Sequence, residues 1–239
     1  MTIQGILFDK DGTLLDYDAT WMPLNKQAAL EAAGGDAALA ESLLVATGYD
    51  PATESHLPNS LLVSASNDVI AGSWAALLGA DPAALTRRIT GIFEANSAAT
   101  AVAVAGMAAV LVSLKARGLT LGVATNDSED SAHASLAPFG VIEHFDFIAG
   151  FDSGHGAKPG PGMVEAFCKA TGLAPAAVAV VGDSHHDMAM GRNAGVGLLV
   201  GVLTGTGGRD DLTPHAHHVL DSILELEALL DALAAPRRA

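Results

Sequence analysis

Cysteine is nearly missing: Cys168 stands alone in a chain of 239 residues. No disulfide can form within the chain, and a reducing compartment is expected. The plain reading of that residue is a small buried apolar group. Basic residues are scarce as well. Twelve Lys and Arg stand against 27 Asp and Glu, a formal net charge of −15. That balance argues against nucleic acid or an anionic membrane as partner, because both would be repelled. Long apolar runs are lacking too, since the longest, Ala101 to Val112, is too short to span a bilayer. No basic stretch precedes an apolar core at the N-terminus, so no targeting segment is expected. Repeats and low-complexity tracts are missing apart from a general richness in alanine. These absences predict a soluble, cytoplasmic protein. Only 16% of residues are charged and 50% are hydrophobic, which excludes a disordered chain and allows a sizeable core.

What is present begins at once. An apolar run, Ile3 to Phe8 with only Gln4 polar, ends in Asp9-Lys10-Asp11-Gly12-Thr13. In an extended chain residues i and i+2 point the same way, so Asp9 and Asp11 can face one reacting group. That spacing suits one carboxylate as nucleophile and the other as proton donor. Gly12 permits a turn that a side chain would obstruct.

Two textures follow. From about Thr20 to Ser97 every periodic segment reads as helix: Trp21 to Ala33, Asp36 to Gly48, Asn67 to Leu78, and Asp81-Pro82 to about Ala95. No strand is expected among them. After Val104, short apolar runs alternate with helices. The expected strands are Leu119–Ala124, Phe145–Ala149, Val178–Val181 and Val196–Val202, each nearly all apolar as in parallel strands covered on both faces. Helices are expected near 106–116, 129–138, 161–171, 186–194 and 221–233. The alternation predicts an α/β fold: a Rossmann-like, doubly wound parallel sheet with an inserted all-helical cap domain. The expected division is a core of residues 1–16 and 98–239 and a cap of residues 17–97.

In such a sheet, ligands gather where strands end. The Leu119 strand runs into Thr125-Asn126-Asp127, a hydroxyl and an amide before a helix start, which suits an anion. Beyond the Phe145 strand lies Lys158-Pro159, a cation able to reach a phosphate. The Val178 strand ends in Gly182-Asp183-Ser184-His185-His186-Asp187, with carboxylates at i and i+4 that can converge on a hard cation.

In that order these segments resemble the four motifs of the haloacid dehalogenase-like (HAD) hydrolases, most of which are phosphatases. Asp9 and Asp11 match the first motif, Thr125 the second, Lys158 the third, and Asp183 and Asp187 the fourth. A helical insertion just after the first motif is similar to the cap of the phosphoglycolate phosphatase-like branch. The resemblance implies that Asp9 attacks phosphorus to form an aspartyl-phosphate, while Asp11 protonates the leaving oxygen and then deprotonates water. It further implies that Thr125, Asn126, Lys158 and the amides of the Gly12-Thr13 turn hold the phosphate. Asp9, Asp183, Asp187 and Asp11 (through its carbonyl) would ligate Mg²⁺, with Asp187 either a ligand or a supporting partner. Charge points the same way. With Asp11 protonated, Asp9, Asp183, Asp187 and Lys158 carry two net negative charges before a phosphate arrives, and two like charges 4 Å apart cost about 4 kcal/mol at an effective dielectric of 20.

Asp11 also sorts the branches. Haloacid dehalogenases generally lack this second aspartate, and phosphonatases replace it with alanine and use a cap lysine, whereas the helical segment here holds only Lys26. The expected activity is hydrolysis of a small phosphorylated metabolite, phosphoglycolate being the leading candidate. A phosphomutase of the β-phosphoglucomutase type and a catalytically silent phosphate-binding protein are the alternatives. Oligomeric state is not specified by the sequence. Arg87, Arg88, His56, Asn59 and Ser60 are candidates to read the substrate, and Asp16, Asp18 and Trp21 to form a hinge. His185 and His186 are expected to orient a helix start, Gly205–Gly208 to be a flexible loop, and His215, His217 and His218 to precede a short edge strand without binding metal.

Overall fold

The computed structural model describes residues 2–57 and 60–235. The chain forms two compact units, Met1–Asp16 with Ala103–Ala239, and Tyr17–Val102. The strands, in chain order, are β1 (Gly5–Phe8), β2 (Tyr49–Asp50), β3 (Ser55–His56), β4 (Thr120–Ala124), β5 (Phe147–Ala149), β6 (Val178–Gly182), β7 (Leu198–Val202) and β8 (His218–Leu220).

In the first unit six strands pair in the order β5-β4-β1-β6-β7-β8, all parallel. The fold is α/β and Rossmann-like, with a strand order that reverses on either side of β1. β1, β6 and β7 are buried along their whole length, which is why they read as unbroken apolar runs. Helices Met107–Ala116, Glu129–Leu136, Gly162–Thr171 and His185–Ala194 alternate with the strands. The last of them begins with Ser184 and Asp187 in a capping box. Phe167, Met163, Val180, Met188 and Leu199 pack in one apolar cluster that also includes Cys168. Register matters most for the site. Phe8 lies opposite Val123 on one side and Val181 on the other, so β1, β4 and β6 end almost level.

The second unit packs helices Tyr17–Ala32, Ala37–Thr47, Asn67–Leu78 and Pro82–Thr100 around Met22, Leu43, Trp74 and Ile89. Asp36 and Asp81 each cap the helix that follows, accepting two main-chain N–H groups. Trp74 is fully buried, and its indole N–H donates to the Leu43 carbonyl at 3.0 Å and to the Thr47 hydroxyl at 3.1 Å. This unit is not all helix: β2 and β3 form a two-stranded antiparallel hairpin, Tyr49 opposite His56. Strands of two residues leave no periodicity to read. The last helix of the unit runs to Thr100, beyond the expected end near Ala95, because nothing from Ala95 to Thr100 breaks it. Among the described residues no helix is long and apolar enough to cross a membrane.

Candidate active site

Three neighbouring strands deliver the key side chains. Asp9 follows β1, and its N–H donates to Val181 of β6 at 2.8 Å, which carries the sheet one residue past Phe8. Thr125 follows β4, and Asp183 follows β6. All three leave the carboxyl edge of the sheet at the point where strand order reverses, where ligands collect in this architecture.

Lys158 is the hub. It lies in the loop after β5, its side chain is 3% exposed, and its Nζ donates to Asp9 Oδ1 at 2.5 Å and to Asp187 Oδ1 at 2.6 Å. Burial works against its charge, yet Asp187 and Asp9 together hold its pKa well above the ordinary lysine value. Asn126 fixes the main chain of this lysine from both sides. Its Oδ1 accepts from Lys158 N at 2.8 Å, and its Nδ2 donates to Lys158 O at 3.3 Å.

Asp9, Asp183 and Asp187 are all buried, and each offers an oxygen within 4.8 Å of the others. Burial and the neighbouring carboxylates raise Asp9 well above its ordinary pKa, with Lys158 opposing them. Burial first, then Asp187, pushes Asp183 up to about 7. Such uncompensated, desolvated carboxylates fit a hard divalent cation with oxygen ligands. Their oxygens are not equally available. Asp187 Oδ2 accepts from Ser184 N at 3.0 Å and Ser184 Oγ at 2.6 Å while Oδ1 holds Lys158. Lys158 takes only Oδ1 of Asp9. Among the described residues, the hydrogen bonds to the Asp183 carboxylate fall on Oδ2, from Thr206 N at 2.6 Å and Thr206 Oγ1 at 2.9 Å.

The Asp11 carboxylate lies outside this trio. Its Oδ2 pairs at 2.7 Å with Lys10 Nζ, which also reaches Asp127 Oδ2 at 3.2 Å. Lys10 is 1% exposed, a burial its place next to the turn did not reveal. Burial opposes its charge, but Asp11 and Asp127 lift its pKa above the ordinary value. Lys10 and Asp127 cancel each other in charge, so the net deficit at the site stays as the sequence implies.

The residues of the expected phosphate cradle are closely packed within the protein. Gly12 N donates to Leu15 O, Gly12 O accepts from Thr204 Oγ1, and a Cβ at Gly12 would fall 2.6 Å from Asp183 Oδ2. Thr13 is wholly buried, and its hydroxyl meets no partner among the described residues. Thr125 Oγ1 accepts from Asp127 N at 3.1 Å, turning the chain toward the next helix. The stretch Gly205–Gly208, expected as a flexible loop, is closely packed: a Cβ on Gly205 would lie 2.1 Å from Asp183 Oδ2, and one on Gly207 2.1 Å from Asp183 O. Its signal was the need for glycine at close backbone approach.

In the second unit, His56 Nδ1 pairs with Asp18 Oδ1, which also accepts from His56 N, and His56 Nε2 meets Asn25 Nδ2 at 2.8 Å. Arg88 bonds Glu31, and Arg87 and Arg88 are both exposed. Ser60 precedes the short helix Leu61–Ser64, and Trp21 stacks near Phe93. Asn59 lies outside the described residues. In the first unit His185 and His186 stack with ring centres 3.9 Å apart at the start of their helix. His217 Nδ1 accepts from Leu199 N beside the edge strand β8. Asp9, Asp183 and Asp187 are the one carboxylate, histidine or cysteine group that could hold a metal ion among the described residues.

With this geometry in place, comparison with known proteins adds the lineage. The family model described as haloacid dehalogenase-like hydrolase matches residues 3–195. The chain is 28% identical over 196 residues to an N-acetylmuramic acid 6-phosphate phosphatase of Pseudomonas putida, covering 82% of this chain and 81% of the other. It is 31% identical over 192 residues to a phosphoglycolate phosphatase of Cereibacter sphaeroides, covering 80% and 82%. Among solved structures, a predicted phosphoglycolate phosphatase from Haemophilus somnus superposes with a TM-score of 0.73 at 20% identity, covering 96% of this chain and 98% of that one.

Proposed function

The chain belongs to the haloacid dehalogenase-like hydrolases, and from that premise we propose that it is a Mg²⁺-dependent phosphatase of small phosphomonoesters that works through an aspartyl-phosphate. The observation that carries this reading is the buried Lys158, bonded at once to Asp9 and Asp187 beside Asp183. One cation among three desolvated carboxylates leaves a site that a dianionic phosphate enters only with further positive charge. Asp9 Oδ2, Asp183 Oδ1 and the main-chain carbonyl of Asp11 would hold Mg²⁺. Asp187, with both oxygens committed, holds Lys158 in place instead of ligating. When bound, the ion supplies two positive charges that offset the carboxylates and the incoming phosphate.

The remaining chemistry belongs to side chains. Asp9 attacks phosphorus, the bond to the leaving oxygen breaks, and the carboxyl proton of Asp11 passes to that oxygen to release an alcohol. The Asp11 carboxylate then takes a proton from water as its oxygen bonds to phosphorus, and the aspartyl–phosphorus linkage breaks to restore Asp9. Lys158 steadies the charge on the phosphoryl oxygens, with Thr125 at the end of β4 completing the cradle. Asn126 contributes by fixing the Lys158 main chain. The unit Met1–Asp16 with Ala103–Ala239 is the catalytic core. The helical unit that interrupts the chain soon after Asp11 corresponds to the family's cap domain.

Phosphoglycolate is the leading substrate, on the strength of the phosphoglycolate phosphatase named among the relatives. The N-acetylmuramic acid 6-phosphate phosphatase among them makes sugar phosphates the next class to try. A panel of both classes, assayed for phosphate release with and without Mg²⁺, should show activity only with the ion. Asp9→Asn should lower turnover by more than about 10³-fold, because the amide cannot form the covalent intermediate. Retention of a tenth of the activity would defeat the assignment.

A further inference from the structure

We propose that Lys10 and Asp127 form a bracket that aims the Asp11 carboxyl at the leaving oxygen, making both residues positioning groups for proton transfer. The proposal rests on Asp11 being the proton donor in the reaction above. Three observations carry it. First, Lys10 lies between the two carboxylates, 2.7 Å from Asp11 Oδ2 and 3.2 Å from Asp127 Oδ2, at 1% exposure. Burying an ammonium is costly unless geometry and partners repay it, and an apolar side chain would fill that space at lower cost. Second, Asp127 is a fixed post. Its Oδ1 accepts from Ser128 N at 2.8 Å and its Oδ2 from Ser131 Oγ at 2.6 Å, at the start of a helix whose N-terminal dipole favours the charge. Third, the main chain of Lys10 organises the same turn, its carbonyl accepting from Leu14 N and Leu15 N at 2.9 Å each. The lysine thus ties the Asp11 carboxylate to the helix start that follows a different strand, β4. Remove the lysine, and nothing in this bracket joins Asp127 to Asp11.

A general acid contributes about 10² to 10⁴ in rate, and only where the leaving group needs a proton. Misplacing it by about 1 Å forfeits about 10² of that. The test therefore varies the leaving group. Lys10→Met and Asp127→Asn are assayed with saturating Mg²⁺ on 2,4-dinitrophenyl phosphate, whose phenolate departs unprotonated, and on the alkyl phosphate that the unmodified enzyme turns over fastest. The proposal expects kcat/KM for the alkyl ester to fall about 100-fold in both variants, and for the dinitrophenyl ester less than about threefold. The double variant should be no worse than about the poorer single one, because both act through Asp11. Equal losses on the two esters, full activity on both, or a larger loss on the dinitrophenyl ester would overturn it. Asp127→Asn keeps the shape of its site, so it carries the test alone if Lys10→Met does not fold. Activity surviving in Asp9→Asn would sink the phosphatase mechanism itself. An inactive Asp9→Asn beside equal losses in the bracket variants sinks only the bracket.

Discussion

Thr206 gives two hydrogen bonds to a single carboxylate oxygen, one from its main chain and one from its hydroxyl. The consequence for Asp183 is directional: Oδ2 is spoken for, and Oδ1 is presented on its own. Partners that orient a ligand in this way change metal affinity by about 10- to 100-fold when removed. Thr206→Val keeps the N–H and loses the hydroxyl, so Mg²⁺ affinity should weaken by about tenfold, measured by calorimetric titration and not through turnover alone. An unchanged affinity would mean that the N–H suffices. Gly12 makes the complementary case. Its φ of 84° is a left-handed conformation, and a Cβ there would meet Asp183 Oδ2 at 2.6 Å. Gly12→Ala should therefore weaken Mg²⁺ binding and lower thermal stability together, the backbone alone costing about 1–2 kcal/mol. Residues like Thr206 and Lys10 were hard to find in the sequence because their partners are distant in sequence or carry the ordinary look of a turn. The carboxylates were easy, since each sits directly where an apolar run stops.

Elements were legible to the degree that their pattern was long. Asn67–Leu78 was readable to the residue, β4, β5 and β7 lie within the apolar runs that marked them, and β6 runs one residue past its expected end, to Gly182. β5 starts two residues after Phe145 and β7 two after Val196, since the outer apolar residues pack in turns before pairing begins. The C-terminal helix starts at Leu226, not Asp221, because Ser222 caps a tighter turn, Ile223–Glu225, ahead of it. The hairpin of β2 and β3 leaves no pattern in the sequence, and its anchor explains why it exists. His56, 3% exposed in its side chain, ties β3 to the helix Tyr17–Ala32 through Asp18 and Asn25. Tyr17 adds an edge contact, its ring centre 5.1 Å from the imidazole. Two short strands do not stand alone, so a polar pin substitutes for a longer ladder. His56→Ala should then destabilise the helical unit by about 1–3 kcal/mol, because it strands Asp18 and Asn25 together. Thermal unfolding followed by circular dichroism reads this directly, and a midpoint within a degree of the unmodified protein would refute the pin.

On the scale of the whole molecule, the chain carries a net charge of −15, and its site concentrates three buried carboxylates. The site should make the metal-free protein pay in stability for its readiness to bind a cation. Asp183 titrates at about 7 when folded, burial and Asp187 holding its proton on, whereas unfolded aspartates titrate near 3.9. Between those values the folded chain keeps a proton that the unfolded chain gives up. Stability from this group is therefore full below about pH 3.9 and is lost progressively as pH rises from there to about 7. Asp9, raised by burial, acts in the same sense. Asp18 and Asp146, both lowered, act in the opposite sense but below about pH 4, outside the window. His186, lowered by burial and by His185, also opposes. Comparing the protein with Asp183→Asn removes these other contributions, since the amide mimics the protonated acid. In chelator-treated samples Asp183→Asn should be the more stable at pH 7.5, by a margin that shrinks at pH 5 and nearly vanishes below about pH 4. Added Mg²⁺ should reverse the order at pH 7.5, because only the unmodified chain gains stability by binding it well. If Asp183→Asn is the less stable in chelator at pH 7.5, the buried carboxylates are already satisfied by the fold, and a cation is not what they await.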